Sequence, residues 1–152
     1  MKMWDRCQPG MYWQLAAFIL FAVPSGLISE RVGRKRMILI GLTGMTLLFS
    51  SGYFLIQNKI SLWVVLLLTG VSWAFVNVNG LPLVFDYGDA KQSGTYTGLY
   101  YVAAQAAAVS GPVISGAVVQ ILGNNYRLLW AVSAVYVLLA WLALQGVKPR
   151  ED

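Results

Sequence analysis

The chain has 152 residues, of which 58% are hydrophobic and 11% charged, with 11 Lys and Arg against 6 Asp and Glu for a net charge of +5. So little charge on so much apolar side chain excludes a soluble single-core domain, in which about a quarter of the residues would be charged. With no histidine and one cysteine, Cys7, an intrachain disulfide and a thiolate metal cluster are excluded, so neither metal nor cofactor is expected.

The N-terminal stretch Met1–Gly10 is polar and carries Lys2, Asp5 and Arg6. It precedes the first apolar run, Tyr12–Ser29, which has no small-residue cleavage site before the next break and is therefore read as a retained helix rather than a signal peptide. Four more runs follow, at Met37–Gln57, Leu62–Phe85, Tyr96–Leu122 and Leu128–Val147. Each is close to the roughly 20 helical residues that cross about 30 Å of hydrocarbon. They are too long for strands and do not alternate in polarity. The expected fold is all-α and integral to the membrane, a single domain of five transmembrane helices.

The breaks between runs carry the topology. Glu30–Arg36 is charged, Gln57–Ser61 is a short polar turn, Asp86–Thr95 is acidic and contains glycine, and Gly123–Arg127 is polar. One side of the membrane receives Arg31, Arg34, Lys35, Arg36, Lys91, Lys148 and Arg150, and the other only Lys2, Arg6, Lys59 and Arg127. The richer side is cytoplasmic by the positive-inside rule, which leaves the N-terminus outside and the C-terminus inside. The basic excess belongs to these short loops, where it meets lipid head groups, and no nucleic-acid partner is expected. Trp4, Tyr12, Trp13, Tyr53, Trp63, Tyr126 and Trp130 fall near the outer interface and read as an aromatic belt.

The stretch Gly26-Leu-Ile-Ser-Glu30-Arg31-Val-Gly33-Arg34-Lys35-Arg36 is the most informative in the chain. Gly26 lets a neighbouring helix approach, Gly33 permits a tight reversal, and the three basic residues stand at head-group level. A topological turn explains the charge but not two glycines spaced around an acid–base pair. That spacing closely resembles the major facilitator superfamily loop signature, G-x-L-x-D-R-x-G-R-[RK]-[RK]. Gly26, Arg31, Gly33, Arg34 and Lys35 match in place, and Glu30 stands where Asp is commoner. The resemblance implies a cytoplasmic gating loop in which Glu30, Arg31 and Arg34 form a charge network with a helix end of the opposite transporter half, biasing inward- against outward-facing states.

Asn77-Val-Asn79-Gly80-Leu-Pro82-Leu-Val-Phe-Asp86, then Gly94–Tyr101 and Gly111-Pro112, also resemble the tenth and eleventh helices of sugar–cation symporter-like members. With the chain ending soon after its last apolar run, this implies helices eight to twelve of a C-terminal half, at the plasma membrane. On that reading the chain is a fragment, or a half, that needs a missing N-terminal half before it can bind a sugar-like substrate and a coupling cation.

Polar groups inside the runs are candidates for a cavity. Asn77 and Asn79 are two residues apart, about 200° around a helix, so they face opposite ways and at most one lines a central cavity. Each is read either as a cavity amide or as a structural amide bonded to a neighbouring helix. Gln105 is the third candidate. Gly80 with Pro82, and Gly111 with Pro112, are expected to bend their helices. Ala103, Ala107, Gly111 and Ser115, with Ala104, Ala108, Pro112 and Gly116 beside them, form a small-residue stripe suited to close helix packing. Asp86 and Asp89 are read as solvated acids paired with Lys91 or the basic loop, with proton carriage as the alternative.

No catalytic constellation is present: no histidine, no carboxylate pair within a run and no phosphate loop. An enzyme is therefore not expected. The remaining alternative to a transporter is a small membrane interaction protein or a transporter remnant without activity.

Overall fold

The computed structural model describes residues 4–55, 58–88 and 92–147, with side chains from Leu15 onward except those of Tyr53 and Leu55. The described residues form five helices and no strand: α1 (Trp4–Val32), α2 (Arg34–Leu55), α3 (Lys59–Tyr87), α4 (Ser93–Ile121) and α5 (Leu128–Gly146). Each coincides with one apolar run. The largest difference from the sequence expectation is at the start, where α1 is helical from Trp4 rather than Tyr12.

Four helices are long and apolar enough to cross a membrane: α1 over Leu15–Val32, α3, α4 and α5. The 22-residue α2 packs lengthwise against α3 and α5 and so shares their depth. The protein is an all-helical, multi-pass integral membrane protein.

The breaks follow from local chemistry. α1 and α2 are separated by one residue, Gly33, whose φ of +96° is a conformation that side chains disfavour. Its N–H donates to Ser29 O at 2.9 Å, and its own carbonyl accepts from Met37 N at 3.1 Å. The expected seven-residue charged loop is thus a hinge one residue wide, with Glu30 and Arg31 in the last turn of α1 and Arg34–Arg36 in the first turn of α2. α3 opens on a capping box: Asn58 Oδ1 accepts from Ser61 N at 2.9 Å while Ser61 Oγ accepts from Asn58 N at 3.4 Å. α4 closes on a Schellman arrangement, with Asn124 N donating to Val119 O at 2.9 Å and both Gly123 and Asn124 at positive φ.

In lipid, burying apolar surface gives helices little reason to associate, so cohesion comes from close packing and interhelical hydrogen bonds. The tight packing is centred on α2. A Cβ on Gly41 would stand 2.7 Å from the Ser72 carbonyl oxygen of α3 and 2.9 Å from Val76 Cγ2, and one on Gly44 would stand 2.8 Å from Ser72 Oγ. Farther along α2, a Cβ on Gly52 would stand 2.7 Å from Trp130 Cε3 of α5. The same indole meets Phe49 edge-on at a centroid distance of 6.0 Å. Toward the Gly33 end, Ile38 and Leu42 of α2 and Leu83 of α3 form a buried cluster, with Val137, Trp141 and Leu144 of α5 packed against it.

Two small-residue features pack loosely among the described residues. Gly26 is not a point of close approach, because an added Cβ would meet Val78 Cγ1 at an ordinary 3.9 Å. The small-residue stripe of α4 lies mostly on exposed surface, with nothing within 4 Å of a Cβ on Gly111 or Gly116. Val119 is the one buried residue of α4. The helix touches α3 and α5 only lightly.

Candidate functional site

Up-and-down connectivity brings the C-terminal ends of α1, α3 and α5 to the same face as the start of α2. The basic first turn of α2 meets two of those ends. Arg34 Nη1 donates to Asp86 Oδ1, forming a half-exposed ion pair, and to Pro82 O at 3.3 Å, both in the last turns of α3. Lys35 Nζ donates to Gln145 O at 3.3 Å and to Val147 O, the last carbonyls of α5. Electrostatics explains the choice of partner. The N-terminus of α2 carries the positive end of its own helix dipole, so cations there disfavour α2 itself. α3 and α5 offer negative C-terminal ends with unpaired carbonyls, and neither has a basic side chain in its last turn.

The other charges of the motif stand apart. Glu30, Arg31 and Arg36 are exposed and make no side-chain hydrogen bond or ion pair among the described residues. The motif is therefore divided: Arg34 and Lys35 are spent inside this bundle, and Glu30, Arg31 and Arg36 face outward from it. Asp86 pairs with the basic turn, one of the two partners expected for it. Asp89 and Lys91 lie outside the described residues, as do the side chains of Trp4, Tyr12, Trp13 and Tyr53.

The two asparagines point opposite ways. Asn79 is 2% exposed, and its Nδ2 donates to the fully buried Ser25 Oγ of α1 at 3.0 Å and to Phe75 O at 2.9 Å. It ties α3 to α1. Asn77 is exposed, and so is Gln105 on α4. α3 runs unbroken through Gly80 and Pro82, and α4 through Gly111 and Pro112. Gly80 instead makes room for α4, since a Cβ there would stand 3.0 Å from the Tyr100 hydroxyl.

An open groove of about 500 Å³ lies between α2 and α5, lined by Thr46, Ser50, Phe54, Leu128, Ala134 and Leu138 among others. Thr46 spends its hydroxyl on Leu42 O at 2.8 Å, so the groove is apolar in effect. Asn77, Asn79 and Gln105 do not line it. The described residues contain no group of three or more Cys, Asp or Glu placed to hold a metal.

The sequence reading missed Lys35 as a cap for α5, Ser25 as the partner of Asn79, and the contact made by Gly41 and Gly44. The glycine contact had a signal, because residues three apart on α2 share a face. The Lys35 contact had none, since it joins residues 110 and 112 positions apart in the chain.

An all-helical bundle with apolar spans and a charge cluster at one face defines a polytopic membrane protein. Comparison with known proteins is specific: the family model of the Major Facilitator Superfamily matches residues 11–152, and the chain belongs to that superfamily. Among curated proteins, the MFS antiporter QDR3 of Candida albicans is 34% identical over 126 residues, which are 82% of this chain and 18% of that protein. The chain thus spans less than a fifth of that relative's length. No solved structure matches.

Proposed function

We propose that the chain supplies five helices of a small-solute transporter that works by alternating access, and that the rest of the transport path is built by further helices. The observation that carries this is the division of the Gly26–Arg36 motif. Arg34 and Lys35 fasten the bundle at one face, while Glu30, Arg31 and Arg36 are exposed there and unpaired among the described residues, open to a partner outside the bundle. A helix N-terminus of an opposing bundle is a suitable partner for Glu30, because its dipole and free N–H groups favour a carboxylate. The three exposed charges then stabilise the state in which the two cytoplasmic faces meet. Gly26, Glu30, Arg31, Gly33, Arg34 and Lys35 constitute the gating element, with that face cytoplasmic at the plasma membrane.

The substrate reading has two forms. The resemblance of Asn77–Asp86 and Gly94–Tyr101 to sugar–cation symporters supports helices eight to twelve of a sugar transporter, with Asn77 and Gln105, both exposed, facing the cavity. The printed name of the Candida relative, an antiporter, favours exchange of a solute against a counter-ion. No acidic or basic side chain lies deep in a span among the described residues, so in either form the coupling group sits on the other helices.

The experiment is expression with the remaining helices in sealed vesicles, with two readouts. A reporter fused after Arg36 reports cytoplasm and one after Asn58 reports exterior; the reverse sinks the orientation. Labelled sugar that accumulates only with an inward cation gradient identifies symport, and accumulation only with an opposed gradient identifies antiport. Flux indifferent to the five helices of this chain would end the transporter reading.

A further inference from the structure

The contact between Lys35 and α5 has a role separate from the gating charges. The last carbonyls of α5 lie at the end of a helix long and apolar enough to span the membrane, and its last turn holds no basic residue. Lys35 supplies a cation from α2, bonding Gln145 O and the C-cap carbonyl, Val147 O. Its position on α2 makes the contact more than a cap. Lys35, Ile38 and Leu42 lie three and four residues apart and share one helical face. Ile38 and Leu42 belong to the cluster against which Val137, Trp141 and Leu144 of α5 pack. Lys35 is thus the polar end of the seam joining α2 to α5. Farther along, the apolar groove lies between the same two helices, and Trp130 covers Gly52.

We propose that Lys35 is a positioning residue, a cap supplied by one helix to another, that latches α5 to α2 while the adjacent Arg34 latches α3 to α2. The three helices then travel as one body. This rests on the alternating-access reading for its purpose, but the latch itself is measurable without transport. Its two halves are independent, because Arg34 and Lys35 reach different helices and share no partner.

The test uses the protein in its membrane, with Cys7→Ser and a single reporter Leu144→Cys on the α5 side of the seam. Lys35→Met is expected to raise the rate of maleimide labelling at position 144 at least fivefold. Lys35→Arg is expected to return it to within twofold of the parent, and Arg34→Met to leave it within twofold. Labelling that does not change in Lys35→Met, or that rises equally in Arg34→Met, overturns the latch. If Lys35→Met does not accumulate, the intact protein in detergent decides. Acetylation of Lys35 at least fivefold slower than that of the exposed Lys59 supports the latch, and equal rates overturn it. A functioning latch with no measurable transport when the remaining helices are supplied would instead count against the proposed function and leave this inference standing.

Discussion

α2 and α4 are both glycine-bearing helices of an apolar chain, yet the bundle treats them differently. α2 is pinned by two neighbours: its glycines receive the backbone of α3 and the indole of α5, and its first turn reaches two helix ends by charge. α4 displays the longer stripe of small residues but presents it outward, touching its neighbours chiefly through Tyr96 over Gly88, Tyr100 over Gly80 and the buried Val119. A small-residue stripe therefore marks a surface capable of close packing without saying what packs there. In α2 the partner lies within this chain. In α4 the stripe is available to lipid or to helices beyond the five, and the proposed larger transporter would cover it.

The sharpest way to break this comparison is to enlarge one glycine on each helix. Gly41→Leu forces a side chain into a site where even a Cβ stands 2.7 Å from a backbone oxygen that cannot rotate away. Overpacking of this kind costs roughly 1–3 kcal/mol, and the rigid neighbour places this case at the upper end. Gly111→Leu meets nothing within 4 Å and gains helix propensity, so its effect on the isolated chain is expected within about 0.5 kcal/mol of zero or slightly stabilising. Unfolding in mixed detergent micelles measures both. Equal costs would mean that α4 is as closely packed as α2. In the complete transporter the Gly111 variant is expected to become costly, which would identify the α4 stripe as an interface.

A smaller effect separates the two asparagines of α3. Asn79→Ala removes the buried bond to Ser25, and interhelical hydrogen bonds in membranes average about 0.6 kcal/mol and reach about 1.7. With the small cavity left behind, a loss of about 1–2 kcal/mol is expected. Asn77→Ala, on the exposed face, is expected to cost nothing measurable in stability. A double-mutant cycle with Ser25→Ala isolates the pair, and a coupling energy near zero would remove Asn79 as a tie between α1 and α3.

Much of this was legible in the sequence, for identifiable reasons. The five helices follow from run length, because lipid requires backbone polar groups to be paired within the protein and runs this long without alternation leave the helix as the way to do it. The opposite facing of Asn77 and Asn79 follows from helical periodicity. The family follows from the glycine and charge spacing of Gly26–Arg36. What was not legible is which surface meets which. Hydrophobicity, which sorts inside from outside in a soluble protein, is uniform around these helices. The glycine at a tight contact, Gly41, and the one at an ordinary contact, Gly26, look alike until Ser72 is placed against one of them. The width of the charged break was overestimated for a related reason. Arg34–Arg36 are polar enough to read as loop, but at a membrane face a helix can begin with cations when the C-termini of its neighbours receive them.

The smallest stability effect bears on the division within the motif. Asp86→Asn dissolves an ion pair whose two side chains are 36% and 44% exposed, and pairs in such surroundings contribute about 0.2–1 kcal/mol. The loss expected in micelles is therefore about 0.5 kcal/mol. Glu30→Gln breaks no contact among the described residues, so its expected cost to stability is nil. Their ranking in transport should be the reverse. If Glu30 acts on a helix beyond this bundle, its neutralisation slows solute exchange by a complete transporter severalfold with insertion and abundance unchanged. Asp86→Asn, whose partner Arg34 keeps its bond to Pro82 O, should slow exchange less. Exchange rates in vesicles normalised to inserted protein decide the order. A larger defect from Asp86→Asn would place the gating charge on the bonded side of the motif, and the split between fastened and free residues would then describe stability alone.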